Sequence, residues 1–416
     1  MMMWPKIAFR NLLRNRRRSL ITIAAVALGF AAVNVFGGFT DYMFVNLRDS
    51  FIHAGGNGHF QIFKKGYGER GSIEPEEYFL SEEEFRTIQE VAGADGRVHL
   101  VAGRMQLTGT IDYDGTSTIF IGDAMTPSKV ETMYQRAENL NTDKKRYEGE
   151  ALSDEEPQGI AVSGSLAEVL KLEPGAPVLL AAPTLEGNAN ALDAEVRQVA
   201  QSISQGAAAR LVKIPLEWAQ ELAQTGGVAQ VCVLLDERGD LEEVHAELMQ
   251  ALADRGLELE SQTWDELSTM YRLTKNMFDI IFGVVFAILI IIVSMSVMNT
   301  IGMAVMERTS EIGTLRSMGL KRRGVVKLFS LESAFLGLLG SMVGLVITVG
   351  VWWLVQLLKP MWVPPMVGFK VRLQIMLVPE YLLVTFIFLA LLTMAAAVLP
   401  ARRAAHASIV DSLGHS

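Results

Sequence analysis

Two histidines in the glycine-rich stretch His53-Ala54-Gly55-Gly56-Asn57-Gly58-His59 are the first side chains that could hold a metal, and Asp112 and Asp114, flanking Tyr113, are the first close pair of carboxylates. Neither set has the company its chemistry needs. The histidines have no Cys, Asp or Glu at zinc-like spacing, and Asp114-Gly115 after an apolar alternation has the composition of a hairpin turn. Cys232, the single cysteine, lies in the apolar run Val231 to Leu235 and reads as a small buried hydrophobe of a strand. There is no GxxxxGK[ST] run, and Gly337, Gly340 and Gly344 lie in an apolar stretch, where such spacing serves close packing of membrane helices. No catalytic residue, metal site or cofactor is therefore expected in this chain, and ATP is not expected to bind it.

The patterned polar run is Glu307-Arg308-Thr309-Ser310-Glu311-Ile312-Gly313-Thr314-Leu315-Arg316-Ser317-Met318-Gly319. It has no nucleophile beside a base, so its charges and its apolar face point to a partner surface rather than to chemistry. Ile312 and Leu315, three residues apart, are expected to share a helix face as an anchor patch, with Glu307, Arg308, Glu311 and Arg316 setting register. Gly313 and Gly319 punctuate the run, and Met318 adds an apolar side chain at its end.

That run is held between stretches free of Asp, Glu, Lys and Arg: Ser19 to Thr40, Ile280 to Met306, Ser333 to Leu358 and Tyr381 to Ala401. Each reaches the roughly 20 residues a helix needs to cross about 30 Å of hydrocarbon. Lys6, Arg10, Arg14 and Arg16 to Arg18 precede the first, which is too long for a signal-peptide core and reads as an uncleaved anchor behind an interfacial helix over Lys6 to Leu20. Arg308, Arg316, Lys321, Arg322, Arg323 and Lys327 lie between spans two and three, against only Lys359, Lys370 and Arg372 in the short loop between spans three and four. The positive-inside rule then places both termini in the cytoplasm. The parts are residues 1–40 (lead-in and span one), 41–279 (a large outer domain), 280–306 (span two), 307–332 (the polar connection), 333–358 (span three), 359–380 (a short outer loop), 381–401 (span four) and 402–416 (a tail).

The other parts together carry +12, so Asp41 to Asp279 carries −21 of the whole-chain −9, which disfavours nucleic acid and anionic lipid as its ligands. Strands are predicted over Val98–Leu107, Gly115–Gly122, Ile160–Ser163, Pro177–Ala182, Ala208–Ile214 and Gly227–Leu235. Helices are predicted over Ser81–Val91, Ser165–Leu172, Leu216–Thr225 and Leu241–Arg255, the first with a Ser81/Glu84 capping box. Tyr67–Glu77, Asn141–Gln158 and Gly187–Gln205 read as exposed loops. Leu257 to Lys275, with Trp264, Met270 and Tyr271, reads as a helix continuing span two outward. The fold class is four transmembrane α-helices with a large extracytoplasmic α+β domain inserted between helices one and two.

Ala8-Phe9-Arg10-Asn11-Leu12-Leu13-Arg14-Asn15, the run from Glu311 to Gly319, Leu331-Glu332-Ser333 and Pro400-Ala401-Arg402-Arg403-Ala404 together resemble the MacB/FtsX-like family of ABC transporter permeases. The absence of a fused ATPase resembles most the lipoprotein-releasing LolC/LolE type. The resemblance implies that Glu307 to Gly319 is a coupling helix docking on a cytoplasmic ABC ATPase dimer, which would bind ATP and Mg, and that a second permease copy, identical or not, completes the assembly in a bacterial inner membrane. It implies movement of the outer domain that extracts or exports a lipid-anchored or amphipathic cargo, with a periplasmic adaptor or lipoprotein as a further partner. The alternative is an FtsX-like mechanotransmitter acting on an extracytoplasmic cell-wall hydrolase. Trp352, Trp353, Met361, Trp362, Met366 and Phe369, around the short outer loop, would suit lipid contact.

Overall fold

The computed structural model describes residues 16–71, 73–137, 147–200, 206–362 and 371–406. Residues 6–15 of the expected lead-in helix, 141–146 and 201–205 of two expected loops, Lys370, Met366 and Phe369 of the outer loop and the tail from 407 lie outside the described residues. The chain forms two compact units: residues 45–273 with 363–371, and residues 1–44, 274–362 and 372–416.

Helix α1 (Arg16–Asp49) runs past the end of its apolar stretch, because helical hydrogen bonding does not stop where composition changes, and it passes into a π turn over Ser50–Ala54. The first unit then builds one ten-stranded sheet from β1 (Phe60–Lys64), β2 (Val98–Tyr113), β3 (Thr116–Met125), β4 (Tyr147–Gly149), β5 (Gly159–Val162), β6 (Pro177–Pro183), β7 (Ala189–Ala200), β8 (Leu211–Ile214), β9 (Gln230–Leu235) and β10 (Leu259–Thr263). β2 is the shared strand. Its first half, Val98 to Arg104, pairs with β9 in the open order β10-β1-β9-β2, and Thr110 to Asp112 pairs with β6. Pairings β2-β3, β3-β8, β8-β5, β5-β7, β7-β6 and β6-β2 close a six-stranded circuit, which leaves those strands without free edges. β2 and β3 meet at Tyr113 and Thr116 across Asp114-Gly115, both with positive φ (50° and 74°), so Asp114 belongs to a two-residue hairpin turn while Asp112 is a paired residue of β2, opposite Ser117.

Helices α2 (Glu82–Gly93), α3 (Pro127–Gln135), α4 (Gly164–Leu170), α5 (Leu216–Ala223) and α6 (Leu241–Ala253) complete the α+β domain. The Ser81/Glu84 capping box is present, with Glu84 N–H donating to Ser81 Oγ at 3.2 Å and Ser81 N–H to Glu84 Oε2 at 2.7 Å. The core gathers Phe60, Ile62, Leu80, Ile88, Phe120, Ile160, Val196, Val212, Leu222 and Val233 around the sheet. A smaller cluster joins Ile52 of the π turn, Met133 of α3, Cys232 and Leu234 of β9 and Trp264.

Four expectations fail here. Asn141–Gln158, expected as a loop, contains β4, which pairs with the end of β7. Gly187–Gln205 is no exposed loop over its first part: β7 pairs on both sides, with β5 and β6. Its inward positions carry Ala194 and Val196 between Asp193, Glu195 and Arg197, so its alternation is written in small residues and reads as polar. Tyr67–Glu77 contains two single helical turns, Tyr67–Arg70 and Pro75–Tyr78. Leu257–Lys275 is not one helix: it divides into β10, a capped turn at Trp264–Leu267 and a break at Ser268 (φ −83°, ψ 75°). Trp264 is buried against Tyr271, ring centroids 4.9 Å apart, and this contact belongs to the domain.

The second unit contains the helices α7 (Thr269–Glu307), α8 (Thr309–Ser317), α9 (Arg322–Leu358), α10 (Pro379–Ala396) and α11 (Val398–His406). With α1 there are, among the described residues, four helical segments long and apolar enough to cross a membrane, α10 and α11 counting as one. The break at Ala397 lies three residues before Pro400, which cannot donate to the turn behind it. Val26 and Phe30 of α1, Leu289, Val293, Val297 and Ile301 of α7 and Phe329 of α9 form its core. The four α7 residues recur every fourth position, and the other faces of α7, with Ile280, Val284, Ile288 and Ile291 exposed, suit lipid.

Candidate partner-docking site

α8 is a helix of nine residues held between two helices of membrane-spanning length. It starts where α7 ends: Arg308 has φ −113° and ψ 21°, and its carbonyl accepts the Ile312 N–H at 2.9 Å. The Thr309 hydroxyl donates back to the carbonyls of Val305 (3.1 Å) and Met306 (2.9 Å), closing the end of α7. At the other end Leu320 N–H reaches the Leu315 carbonyl at 3.0 Å and Gly319 takes φ 98°, a left-handed stop that only glycine adopts without strain.

Residues of α8 separate sharply by face. Glu311, Thr314, Leu315 and Met318 are exposed and recur at i, i+3, i+4 and i+7, one stripe of a helix. Ile312 and Gly313 are buried on the other side, Ile312 within the bundle core. The expected Ile312/Leu315 anchor patch is therefore split: the boundary of the buried face falls between two neighbouring positions, and Ile312 fastens α8 to its own bundle. Arg308, also expected as a surface charge, is 7% exposed and pairs with Glu332 of α9, Nη1 to Oε2 3.5 Å. Glu307 pairs with Arg18 of α1 at 2.5 Å. Arg316 is half-buried, Gly319 exposed. The outward apolar residues are thus Leu315 (38% exposed) and Met318 (74%), next to the exposed cations Lys321, Arg322, Arg323 and Lys327. Glu332 enters the sequence reading only within the Leu331-Glu332-Ser333 motif, although a carboxylate at the edge of an apolar span is a position that demands a partner.

The other sequence candidates are placed elsewhere. His59 is buried at the start of β1, where its Nδ1 accepts the Leu235 N–H at 3.0 Å and its carbonyl accepts the Trp264 N–H at 2.9 Å. His53 stacks on it edge to face at 5.9 Å. Burial first, then the nearby charges of His53, Arg136, Arg238 and Arg48, push His59 down to about 4. The neutral ring is what the fold keeps, so between the unfolded value near 6.5 and about 4 the unfolded chain binds the extra proton. Stability of the domain is expected to be full above that window and to fall by up to about 3 kcal/mol across it as pH drops. Thermal unfolding of the purified chain between pH 7.5 and 4 checks this, with a shallower pH slope expected for His59→Gln. Cys232 is fully buried and its thiol is pushed up to about 11 by that burial, so it packs rather than reacts.

Two family models match the chain side by side. The MacB-like periplasmic core domain covers residues 19–251 and the FtsX-like permease C-terminal domain covers 283–409, including all of α8. The ABC transporter permease YtrF of Bacillus subtilis is 40% identical over 90 residues, 21% of either chain. The uncharacterized ABC transporter permease MJ1507 of Methanocaldococcus jannaschii is 22% identical over 352 residues, 82% of this chain and 81% of that one. The macrolide export ATP-binding/permease protein MacB of Escherichia coli K12 is 27% identical over 186 residues, 44% of this chain and 27% of that one. The matched stretches thus span about a fifth of YtrF and about a quarter of MacB. With the core-domain model alone matching more than half of the residues and the permease model matching the helices that carry α8, the chain belongs to the MacB/FtsX-like family of permeases.

Proposed function

We propose that this chain is the permease subunit of an ABC transporter of the MacB/FtsX type, without catalysis of its own, and that α8 is its docking surface for a separate cytoplasmic ATPase. The observation that carries the reading is the outward stripe Glu311, Thr314, Leu315 and Met318 on a short helix whose opposite face is fastened into the bundle. A helix with one side anchored and the other presenting two apolar side chains among charges suits a groove on a partner. The basic residues around it favour the cytoplasmic side, which puts both termini inside and the acidic α+β domain outside. Hydrolysis in the partner would then move the outer domain to extract or export a lipid-anchored or amphipathic cargo, with a second permease copy completing the assembly.

The test is capture of the tagged chain in mild detergent from its native cells. An ABC ATPase is expected with the parent chain and at least tenfold less of it with Leu315→Asp/Met318→Asp, a pair that leaves the buried face untouched. Capture of no ATPase by the parent would sink the docking assignment. A cell-wall hydrolase recovered with the ATPase would replace the cargo reading with mechanotransmission.

A further inference from the structure

Arg308 is the one residue between α7 and α8 and has non-helical φ and ψ. The Thr309 hydroxyl ties the start of α8 back to the last carbonyls of α7. The Arg308 side chain leaves this corner for the next membrane helix: its Nη1 lies 3.5 Å from Oε2 of Glu332 on α9, and both residues are buried, 7% and 4% exposed. The first residue of the docking segment is thus tied to α9, which follows α8 in the chain, rather than to α7, which it has just left.

The tie is incomplete. Arg308 Nη2 is buried without a hydrogen-bond partner among the described residues, as are the hydroxyls of Ser330 and Ser333 on the same stretch of α9. A guanidinium and a carboxylate prefer a bidentate pair at about 2.7–2.9 Å. A buried pair at 3.5 Å with one nitrogen unpaired falls short of that geometry, so its strength is sensitive to where Arg308 sits against α9.

We infer that the Arg308–Glu332 pair is the joint through which displacement of α8 is passed to α9, the two acting as positioning residues rather than as partner contacts. This rests on the docking assignment of α8. Force applied at the outward stripe would reach α9 through a charged contact that tightens or loosens, while Ile312 keeps α8 seated.

The test uses the full chain captured with its ATPase and reconstituted in lipid nanodiscs. Two quantities are read: ATPase captured per permease, and the change in ATP turnover that the permease imposes on the ATPase. For Glu332→Ala, capture is expected within twofold of the parent while the imposed change in turnover falls at least tenfold. Glu332→Gln, which keeps an acceptor oxygen, should lose less. The exchange Arg308→Glu/Glu332→Arg should recover turnover to within about threefold, because only the sign of each partner has been inverted. Unchanged turnover in Glu332→Ala overturns the inference. So does a parallel fall of capture, turnover and thermal stability that the exchange does not reverse, since that is the behaviour of a plain structural strut. Failure of the parent itself to capture an ATPase overturns the docking assignment and the joint with it, and is recognised because it precedes any substitution.

Discussion

Arg104→Ala is expected to destabilise the α+β domain by about 3–5 kcal/mol, lowering its thermal transition by roughly 10 °C. Arg104 is 8% exposed in β2 and grips Asp123 of β3 with two parallel bonds, Nε to Oδ1 2.6 Å and Nη2 to Oδ2 2.9 Å. Its remaining arm, Nη1, donates to Asn57 Oδ1 at 2.6 Å, and Asn57 Nδ2 donates in turn to the Phe51 carbonyl in the π turn at 2.8 Å. One side chain thus joins two strands and the segment that follows α1. Truncation would leave the Asp123 carboxylate without its donor and leave the Asn57 amide oxygen with Gln61 Nε2 alone, at 3.1 Å, and the stranded carboxylate is where most of the cost arises. Replacing both charges, as in Arg104→Met/Asp123→Leu, should recover much of the stability, because neither member of the pair is then left without the other, although Lys213 opposite Asp123 loses a neighbouring carboxylate. Thermal unfolding of the purified chains, followed by near-ultraviolet circular dichroism, separates the two outcomes: equal loss in the single and double variants would show that the pair is incidental.

Gly340→Leu and Gly344→Leu are expected to cost about 1–3 kcal/mol each and to pry α9 from α1. A Cβ at Gly340 would lie 2.6 Å from Cβ of Val26 and 3.2 Å from the Ile23 carbonyl oxygen; at Gly344 it would lie 2.6 Å from Cβ of Phe30 and 2.8 Å from the Ala27 carbonyl oxygen. Backbone and Cβ atoms cannot swing aside, so the helices must separate. On the same helix Gly337 meets Thr393 and Ala390 of α10, which places α9 between two neighbours. Gly350 has open space around it, and Gly350→Leu is the matched control, expected to be silent. Size-exclusion recovery after heating in detergent reads the difference: a normal profile for Gly344→Leu would refute the close approach of α1 and α9.

The sequence by itself determined the elements whose cause is local. Four spans follow from length and absence of charge, because each helix satisfies its own backbone in hydrocarbon and needs no neighbour to do so. The Ser81 capping box, the Asp114-Gly115 turn, the stop at Gly319 and the close-packing role of Gly337, Gly340 and Gly344 were legible for the same reason: each is a demand of one residue on its own backbone or its nearest surface. Only the tertiary structure decided which side of a short element faces inward. Ile312 and Leu315 are neighbours on α8, and no pattern of nine residues says that the bundle covers the first and leaves the second. β7 escaped notice because its place in the sheet comes from pairing with β5 on one side and with its hairpin partner β6 on the other, and not from its own apolar content. Arg308 and Glu332 are 24 residues apart, as Arg104 and Asp123 are 19 apart, and in each case the charge looks solvated until the fold removes the water around it. Spacing reports what a residue asks of its own element, while burial, which gives a charge its partner and a helix its docking face, is a property of what packs against it.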